Sequence, residues 1–364
     1  MEPLFSKRLE DFRCALTDRS KEAFLVSKPQ NLRYLTGFTG DSSWLVITQD
    51  EQTLITDGRY TAQAKQQCPD WRVQESNTGL IPALTALQES TGFRELAFDH
   101  LDVTMEFYQR LNLALGAKVE LKGEADPCYR LRRIKDEWEI RQIQEASSIA
   151  DQALALLIPK IKPGVSEKYL ALELYYELCK LGGEGTSFST ILAAGPQGAW
   201  PHAQPTDYSL RQGDFVTVDF GTVVAGYCSD TTRTFILGKA DPLQAERYQI
   251  VLAAHNAALA GIKPGASTRA VDLLARDILT QAGYGEQFNH SLGHSVGLEV
   301  HEDPRFSQSA EDVLLEQSMV MTVEPGIYFP GWGGIRIEDS VLVTKDSVKS
   351  FVGYPKTLEE MTII

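Results

Sequence analysis

The first third of the chain alternates short apolar runs with polar or glycine-containing turns. Residues 23–26, 44–47, 53–56 and 96–99 are such runs, and a helix-like stretch at 60–67 lies among them. Strands that alternate with helices are typical of an α/β fold. We therefore predict an α/β domain over residues 1–125. The polar and basic segment 126–136, which contains Pro127, is predicted to be a linker.

After this segment the apolar positions follow a helical period. They recur every three or four residues, at Ile140, Ile143, Ala146, Ile149, Ala153 and Leu156. Such a stripe predicts one long amphipathic helix with a single face packed against a core. We expect the helix to end near Pro159, because proline has no backbone N–H to continue the hydrogen-bond ladder.

A short repeat divides the rest of the chain. The hexapeptide IKPGVS at 161–166 returns as IKPGAS at 262–267, and each copy lies between two helix-like stretches. The serine that ends each copy is suited to cap the helix that follows. Matching flanks favour a duplication, so we predict an α+β domain over 137–364 with two halves related by a pseudo-twofold axis. His255, in the alanine-rich helix before the second copy, is assigned to the helix surface.

Composition narrows the function classes. The 364 residues are 43% hydrophobic and 23% charged, which is typical of a folded globular protein. The formal net charge of -14 argues against a nucleic-acid partner, because phosphate backbones are bound by basic surfaces. Five widely spaced cysteines without a CxxC pair indicate a reduced, cytoplasmic protein. We expect neither a secretory signal nor a membrane span.

Two aspartates flank a predicted hairpin. Asp219 lies in the apolar run 215–221, on the face opposite to Val216 and Val218, and Asp230 begins the returning strand. The hairpin would make the two carboxylates cross-strand neighbours, roughly 5 Å apart. Such a pair repels unless a cation or a proton lies between the carboxylates. The competing interpretation is a pair of solvent-facing acids on an edge hairpin.

Other polar residues occupy similar positions later in the chain. Glu324 ends an apolar strand before a Pro-Gly turn, and Glu338 is predicted to share a strand face with Arg336. His294 lies in the glycine-containing segment 289–297. Together with the two aspartates, these residues give four carboxylates and one imidazole. That donor set predicts a site for a pair of divalent ions, with Mn2+ preferred over Zn2+.

Three short motifs suggest other chemistry. GHSVG at 293–297 matches the nucleophile elbow of serine hydrolases, which needs an acid and then a histidine well downstream, but the only histidine after Ser295 is His301, six residues on. DFG at 219–221 matches a kinase motif, but the other kinase loops are missing from the sequence. His290 and His294 have the spacing of a helical metal pair, but the glycine between them disfavours a helix. None of the three outweighs the carboxylate cluster.

The ordered motifs resemble those of the pita-bread metallopeptidases, and most of all the Xaa-Pro peptidases aminopeptidase P and prolidase. The matching positions are Asp219, Asp230, GHSVGLEVHE at 293–302, TVEPGIY at 322–328 and GGIRIED at 333–339. NLRYLTGFTG at 31–40 and TDGRYTAQA at 56–64 are similar to the creatinase-type N-terminal domain. The resemblance covers nearly the whole chain. It implies a creatinase-like domain over 1–125 and a pita-bread catalytic domain over 137–364.

The resemblance also implies a metal centre and catalytic residues. The implied metal ligands are Asp219, Asp230, His294, Glu324 and Glu338. They would hold two divalent ions, Mn2+ in the first place, with Co2+ and Zn2+ as alternatives. Glu324 is also the expected proton shuttle. His202 and His301 are expected to orient the substrate and stabilise the tetrahedral intermediate.

Three further positions are assigned to substrate binding by the same resemblance. His290 and Arg305 are expected in the substrate pocket, and Arg336 is expected to order the ligand carboxylates. Ser295 stands where the family often has glycine, and we expect it to change the pocket shape modestly.

The resemblance leaves two peptidase activities open. Arg305 could bind the free carboxylate of a C-terminal proline, which slightly favours an Xaa-Pro dipeptidase over an aminopeptidase P that accepts longer peptides. The further alternative is a non-enzymatic binding protein that kept the fold. We expect short proline-containing peptides as substrates, no nucleic-acid or membrane partner, and a cytoplasmic homodimer.

Overall fold

In the computed structural model, which describes residues 3–364, the chain divides into two units with a boundary between Arg132 and Arg133. The segment 126–136 around that boundary is not an exposed loop. It contains a one-turn helix at Cys128–Leu131, and Asp126 and Lys135 in it are buried. Its polar composition therefore reflects buried polar contacts as well as exposure.

The N-terminal unit is a mixed sheet with helices. Its strands are β1 (Ala23–Val26), β2 (Trp44–Thr48), β3 (Gln52–Thr56), β4 (Arg72–Glu75), β5 (Glu95–Asp99) and β6 (Glu120–Glu124). Its helices are α1 (Phe5–Asp18), α2 (Pro29–Thr36), α3 (Thr61–Gln67), α4 (Leu80–Thr91), α5 (Met105–Leu115) and α6 (Cys128–Leu131). The sheet order is β4-β3-β2-β1-β5-β6, with β2 antiparallel to β1 and to β3. The predicted α/β class is confirmed, and all four predicted strands form.

The C-terminal unit has four long helices and the remaining strands. The helices are α7 (Glu137–Leu157), α8 (Glu167–Lys180), α9 (Pro242–Gly261) and α10 (Thr268–Gln281). The strands of its first half are β7 (Ile191–Ala194), β8 (Phe215–Phe220), β9 (Val223–Val224), β10 (Tyr227–Cys228) and β11 (Thr231–Leu237). Those of its second half are β12 (Gly293–Ser295), β13 (Glu302–Phe306), β14 (Val320–Val323), β15 (Gly326–Phe329), β16 (Gly333–Arg336), β17 (Asp339–Val343), β18 (Val348–Ser350) and β19 (Thr362–Ile363).

The C-terminal unit contains two larger sheets. One has the order β19-β11-β8-β7 and the other the order β13-β12-β14-β17-β18, while β15 pairs with β16 and β9 with β10. Every residue of β8 and β11 is buried, because these two strands lie inside their sheet. An edge hairpin with solvent-facing acids is therefore excluded.

The long predicted helix is α7. Asp136 caps it, since its side chain accepts hydrogen bonds from the N–H groups of Trp138 and Glu139, while Glu139 bonds back to the N–H of Asp136. One position of the predicted stripe is wrong. Leu156 is 46% exposed and Leu157 is buried instead, because residue 157 lies four positions after Ala153 on the same face.

The two copies of the repeat have the same local structure. Ser166 caps α8 and Ser267 caps α10, each accepting a hydrogen bond from the N–H three residues later. Each serine also forms an isolated antiparallel bridge, Ser166 with Ser209 and Ser267 with Leu314. Matching caps and matching bridges support the predicted duplication.

His255 is completely buried, so its predicted surface position is wrong. It lies on the stripe of α9 that also buries Tyr248, Val251 and Ala258. Its Nε2 is 3.7 Å from Asp339 Oδ2, and burial lowers the pKa of its imidazole to about 3. The many alanines of α9 hid this stripe in the sequence. No helix among residues 3–364 is both long enough and apolar enough to cross a bilayer.

Candidate metal centre

The strand pair β8–β11 places the first two carboxylates on one face. Asp219 lies opposite Thr232, and Asp230 comes two residues before Thr232, just ahead of β11. The two aspartates, predicted to be cross-strand neighbours, are therefore offset by two residues along the strand pair. The small β9–β10 hairpin fills the connection, and the two aspartates are diagonal neighbours, still within reach of each other.

The second half of the unit supplies three more side chains. His294 lies in β12, and Glu324 follows β14 directly. Glu338 lies in the connection between β16 and β17, and not on one continuous strand with Arg336 as predicted. Thr232 holds this connection, because its carbonyl accepts the Glu338 N–H at 3.1 Å and its Oγ1 donates to Glu338 Oε2 at 2.7 Å.

The ligating atoms of these residues converge. Asp230, His294 and Glu338 each offer an atom that lies within 4.8 Å of the other two. His294 Nε2 is 3.6 Å from Asp230 Oδ2 and 3.3 Å from Glu324 Oε1. Asp219 lines the same cavity as these residues, and its Oδ2 accepts a hydrogen bond from Arg336 Nη2 at 2.6 Å.

The buried carboxylates of this group carry negative charge that the protein compensates only in part, so the group suits a bound cation. Asp219 Oδ1 and Glu338 Oε1 are buried and accept no hydrogen bond from any residue in 3–364. Burial, together with the neighbouring carboxylates, raises the pKa of Asp230 and of Glu338 well above the usual range. Carboxylates held so close at low dielectric need protons or cations for neutralisation. Divalent ions with oxygen and imidazole ligands meet that need.

His294 is oriented for ligation by its Nε2. Its Nδ1 lies 3.1 Å from the carbonyl oxygen of Ser295, so an Nδ1–H donates there and Nε2 keeps its lone pair towards the carboxylates. The N–H of His294 in turn donates to Thr322 Oγ1 at 3.0 Å. For Glu324, burial opposes ionisation, but without a metal ion an imidazolium of His294 donates from Nε2 to Glu324 Oε1, and this hydrogen bond and charge outweigh burial and hold the pKa of Glu324 low.

A chain of hydrogen bonds connects Arg336 to His290. Arg336 Nη1 donates to the Tyr328 hydroxyl oxygen at 2.8 Å, and that hydroxyl lies 3.0 Å from His290 Nε2. His290 Nδ1 lies 2.8 Å from the Ser291 carbonyl. Burial raises the pKa of Tyr328 to about 12 and lowers that of His290, so a Tyr328 O–H donates to a neutral imidazole. Both ring nitrogens of His290 are therefore engaged within the protein.

A cavity of about 360 Å3 opens onto the carboxylates. Every sequence-predicted site residue lines it: Asp219, Asp230, His294, Glu324, Glu338, His202, His301, His290, Arg305 and Arg336. Phe188, Ile191 and Val300 add an apolar wall. The rings of His301 and His294 lie 4.4 Å apart, and partial burial, with the nearby His294, lowers the pKa of His301 to about 4. His301 is therefore neutral near pH 7.

Some site residues were not predicted. Tyr328 ends the matching string TVEPGIY, but the string alone indicates no role for it, and Thr232 and Thr322 look like ordinary strand residues in the sequence. Their hydroxyls bond to residues more than 25 positions away in most cases, which a local pattern does not reveal. Ser295 does not line the cavity, so the expected effect on pocket shape is wrong. Its Oγ lies 3.0 Å from Lys135 Nζ instead.

Comparison with known protein families covers most of the chain. A model of metallopeptidase family M24 matches residues 141–345, and a model of the creatinase/prolidase N-terminal domain matches residues 8–134. The Xaa-Pro dipeptidase of Pyrococcus horikoshii is 38% identical over 335 residues, which cover 91% of this chain and 92% of that protein.

Solved structures match equally broadly. An Xaa-Pro dipeptidase from Bacillus anthracis superimposes with a TM-score of 0.95 at 36% identity, covering 99% of this chain and 100% of that one. An X-Pro aminopeptidase from Thermotoga maritima gives a TM-score of 0.90 at 34% identity, covering 98% and 99%. The predicted two-domain architecture, with its pita-bread C-terminal domain, is confirmed.

Proposed function

Because the chain belongs to metallopeptidase family M24, we propose that it is a two-metal hydrolase of Xaa-Pro bonds, and more specifically an Xaa-Pro dipeptidase. The observation that carries the proposal is the cavity, in which a buried carboxylate cluster faces three histidines and an exposed arginine. A non-enzymatic binding protein would have no need to keep buried carboxylates in a costly, uncompensated arrangement.

The proposed metal ligands are the four carboxylates and the one imidazole that converge in the cavity. Asp219, Asp230, His294, Glu324 and Glu338 would hold two divalent ions, with Mn2+ as the first choice. When bound, the ions would lower the pKa of a water molecule and polarise the carbonyl of the scissile bond. Oxygen-rich ligation with a single imidazole favours Mn2+, and leaves Co2+ and Zn2+ as alternatives.

Glu324 is the proposed proton shuttle. It is half-buried in the cavity and ionised, because His294 lowers the pKa of its carboxyl group. An ionised carboxylate can take the proton of the attacking water at Oε1 and deliver it to the leaving proline nitrogen. A proton carrier is needed because the proline nitrogen must gain a proton as its bond to the carbonyl carbon breaks.

Three histidines would position the substrate in different ways. His301 is neutral near pH 7 and can donate one N–H to a substrate oxygen, and the exposed His202 lines the same cavity. His290 has both nitrogens engaged by Tyr328 and Ser291, so it would contact the substrate through its ring carbons. A ring held in this way suits an apolar surface for the proline ring.

Arg305 supports the dipeptidase over the aminopeptidase. Its side chain is 48% exposed at the cavity, and its ion pair with Asp303 is long, at 3.8 Å. The guanidinium can therefore turn towards a free C-terminal carboxylate, which it would bind in a bidentate manner. The cavity volume of about 360 Å3 also lies at the small end of the roughly 300–1,000 Å3 of ligand pockets, which favours a short substrate.

The test is a substrate-length series with Mn2+. Ala-Pro, Ala-Pro-Ala and a longer peptide that begins with Ala-Pro are compared by kcat/KM, and Ala-Ala serves as the control without proline. We expect efficient cleavage of Ala-Pro and little of the longer peptides. Efficient cleavage of the longer peptides would establish the aminopeptidase instead. No cleavage of any peptide, with no metal in the purified protein, would support the binding protein.

Domain bounds, cellular location and oligomeric state complete the proposed function. We propose a creatinase-like domain over 1–125, a linker at 126–136 and a catalytic domain over 137–364. We also propose a cytoplasmic homodimer that acts on short proline-containing peptides. Sedimentation of the full chain measures the oligomeric state directly.

A further inference from the structure

Lys135 is a buried cation next to the candidate site that the proposed chemistry does not use. Its side chain is 1% exposed, and its Nζ lies 3.0 Å from Ser295 Oγ and 3.2 Å from Glu302 Oε2. The Glu302 side chain is 5% exposed. The backbone N–H of Lys135 donates to the carbonyl of Ser318 at 3.0 Å, and this hydrogen bond fixes the position of the Lys135 backbone.

The two partners of Lys135 directly follow two site histidines in the sequence. Ser295 comes after His294, and Glu302 comes after His301. Ser295 and Glu302 are also cross-strand partners in the β12–β13 pair. The Lys135 ammonium group therefore contacts both residues of one cross-strand pair, and each of these residues directly follows one of the two histidines.

The strand pair is irregular at this point. The register shifts between His294 and Ser295, where β12 passes from pairing with Arg305 to pairing with Glu302. Bulges of this kind re-aim side chains and are common beside active sites. A bulge leaves part of the ladder without regular hydrogen bonds, so other contacts must hold its geometry.

Lys135 and Glu302 provide such contacts. Glu302 Oε1 accepts the N–H of Glu299 at 3.1 Å, inside the loop that leads to His301. A Cβ on Gly297 would lie 2.6 Å from the same oxygen, so the loop is packed directly on this carboxylate. On the other side, the carbonyl of Ser295 receives the Nδ1–H of His294. Lys135 thus contacts a residue adjacent to each of the two histidines, so its loss would alter the support of both rings.

We propose that Lys135 and Glu302 form a positioning brace that sets the orientation of His294 and His301. This inference rests on the proposed function and deepens it. A buried ion pair is weak evidence for stability, because apolar residues of similar volume often stabilise a protein equally well. Placement of the two rings explains why a costly pair lies here.

The test uses two single variants, one double variant and a control. Lys135→Met removes the ammonium with little change of volume, and Glu302→Gln removes the carboxylate charge. Lys135→Met/Glu302→Met removes both charges and should regain stability. Lys160→Met is the matched control, because Lys160 also binds carboxylates, at Glu173 and Glu177, but does not line the cavity.

Each protein is measured in three ways: kcat and KM with Ala-Pro, Mn2+ affinity by titration of the metal-free full chain, and thermal unfolding. We expect Lys135→Met and the double variant to lose about 10- to 100-fold in Mn2+ affinity and in kcat, with a smaller change in KM. The double variant should unfold near the wild-type temperature, and Lys160→Met should keep the wild-type affinity and kcat.

Two results separate this inference from the proposed function. If the wild type binds Mn2+ but cleaves no Xaa-Pro peptide, the proposed function fails, and a loss of Mn2+ affinity in the double variant still supports the brace. If the wild type cleaves Ala-Pro and the folded double variant keeps its kcat and Mn2+ affinity, the brace is refuted and Lys135 is structural only.

Discussion

Replacing Arg336 with methionine should destabilise the metal-free protein strongly. Arg336 is 2% exposed and donates to Asp219 Oδ2 at 2.6 Å, to the Tyr328 hydroxyl at 2.8 Å and to Thr232 Oγ1 at 3.2 Å. Removing one partner of a buried pair costs about 3–5 kcal/mol, because the other charge is left in a low dielectric. Total stabilities are roughly 5–15 kcal/mol, so the variant should fold with a reduced margin.

The loss should depend on pH in a defined direction. Burial already raises the pKa of Asp219, and the charge of Arg336 is what counteracts this rise. Without Arg336 the folded-state pKa rises further. A carboxyl group with a raised folded pKa stabilises the fold fully below its unfolded pKa, and this stabilisation disappears as the pH rises through the folded pKa. Arg336→Met should therefore be least destabilised in mild acid and most destabilised in mild base.

The assay is urea unfolding by circular dichroism, with a metal chelator present, for wild type, Arg336→Met and Arg305→Met. Arg305 is the control, because it lines the same cavity but is 48% exposed, and exposed ion pairs contribute about 0–1 kcal/mol. The midpoints are compared at matched slopes. Equal midpoints for the two arginine variants would refute the role of Arg336 as the charge that compensates Asp219.

Three further outcomes follow from the same geometry. Glu324→Gln should lower kcat for Ala-Pro by roughly 10²–10⁴-fold, the usual share of a general base, while circular dichroism stays that of the wild type; an unchanged kcat would remove the shuttle role. Mn2+ should raise the unfolding temperature more near about pH 8 than near about pH 6, because Asp230 and Glu338 with raised pKa values bind protons that compete with the ion; a larger rise at the lower pH would contradict this. Arg305→Met should raise KM for Ala-Pro about 10- to 100-fold, the value of a charged hydrogen bond, with little effect on longer peptides; equal effects on both would argue against carboxylate binding.

Much of this site could be predicted because its residues stand at strand ends. Asp219 lies near the end of a strongly apolar strand and Glu324 directly follows another, and a carboxylate so placed has few explanations other than a cation or a catalytic role. The order of the motifs then identified the family. The family match and the structure confirm the fold class that these patterns predicted.

The sequence was least informative where contacts are long-range. The positions of Asp219 and Asp230 depend on the small β9–β10 hairpin, which two-residue strands do not announce in the sequence. The burial of His255 depends on which face of α9 meets the sheet, and alanine fits either face. Lys135, in a basic segment, read as a linker residue because its two partners come about 160 positions later.

The metal centre joins the two halves of the duplicated unit. Asp219 and Asp230 come from the first half, and His294, Glu324 and Glu338 come from the second. Buried contacts cross between the halves beside two of the carboxylates: Arg336 binds Asp219, Thr232 binds Glu338, and Arg233 Nη1 donates to the Glu338 carbonyl at 2.6 Å. Neither half alone could assemble the ligand set, and the surplus negative charge is compensated only partly by these arginines. Cation binding therefore relieves repulsion across the same boundary that the fold must close, which couples metal affinity to the stability of the C-terminal unit.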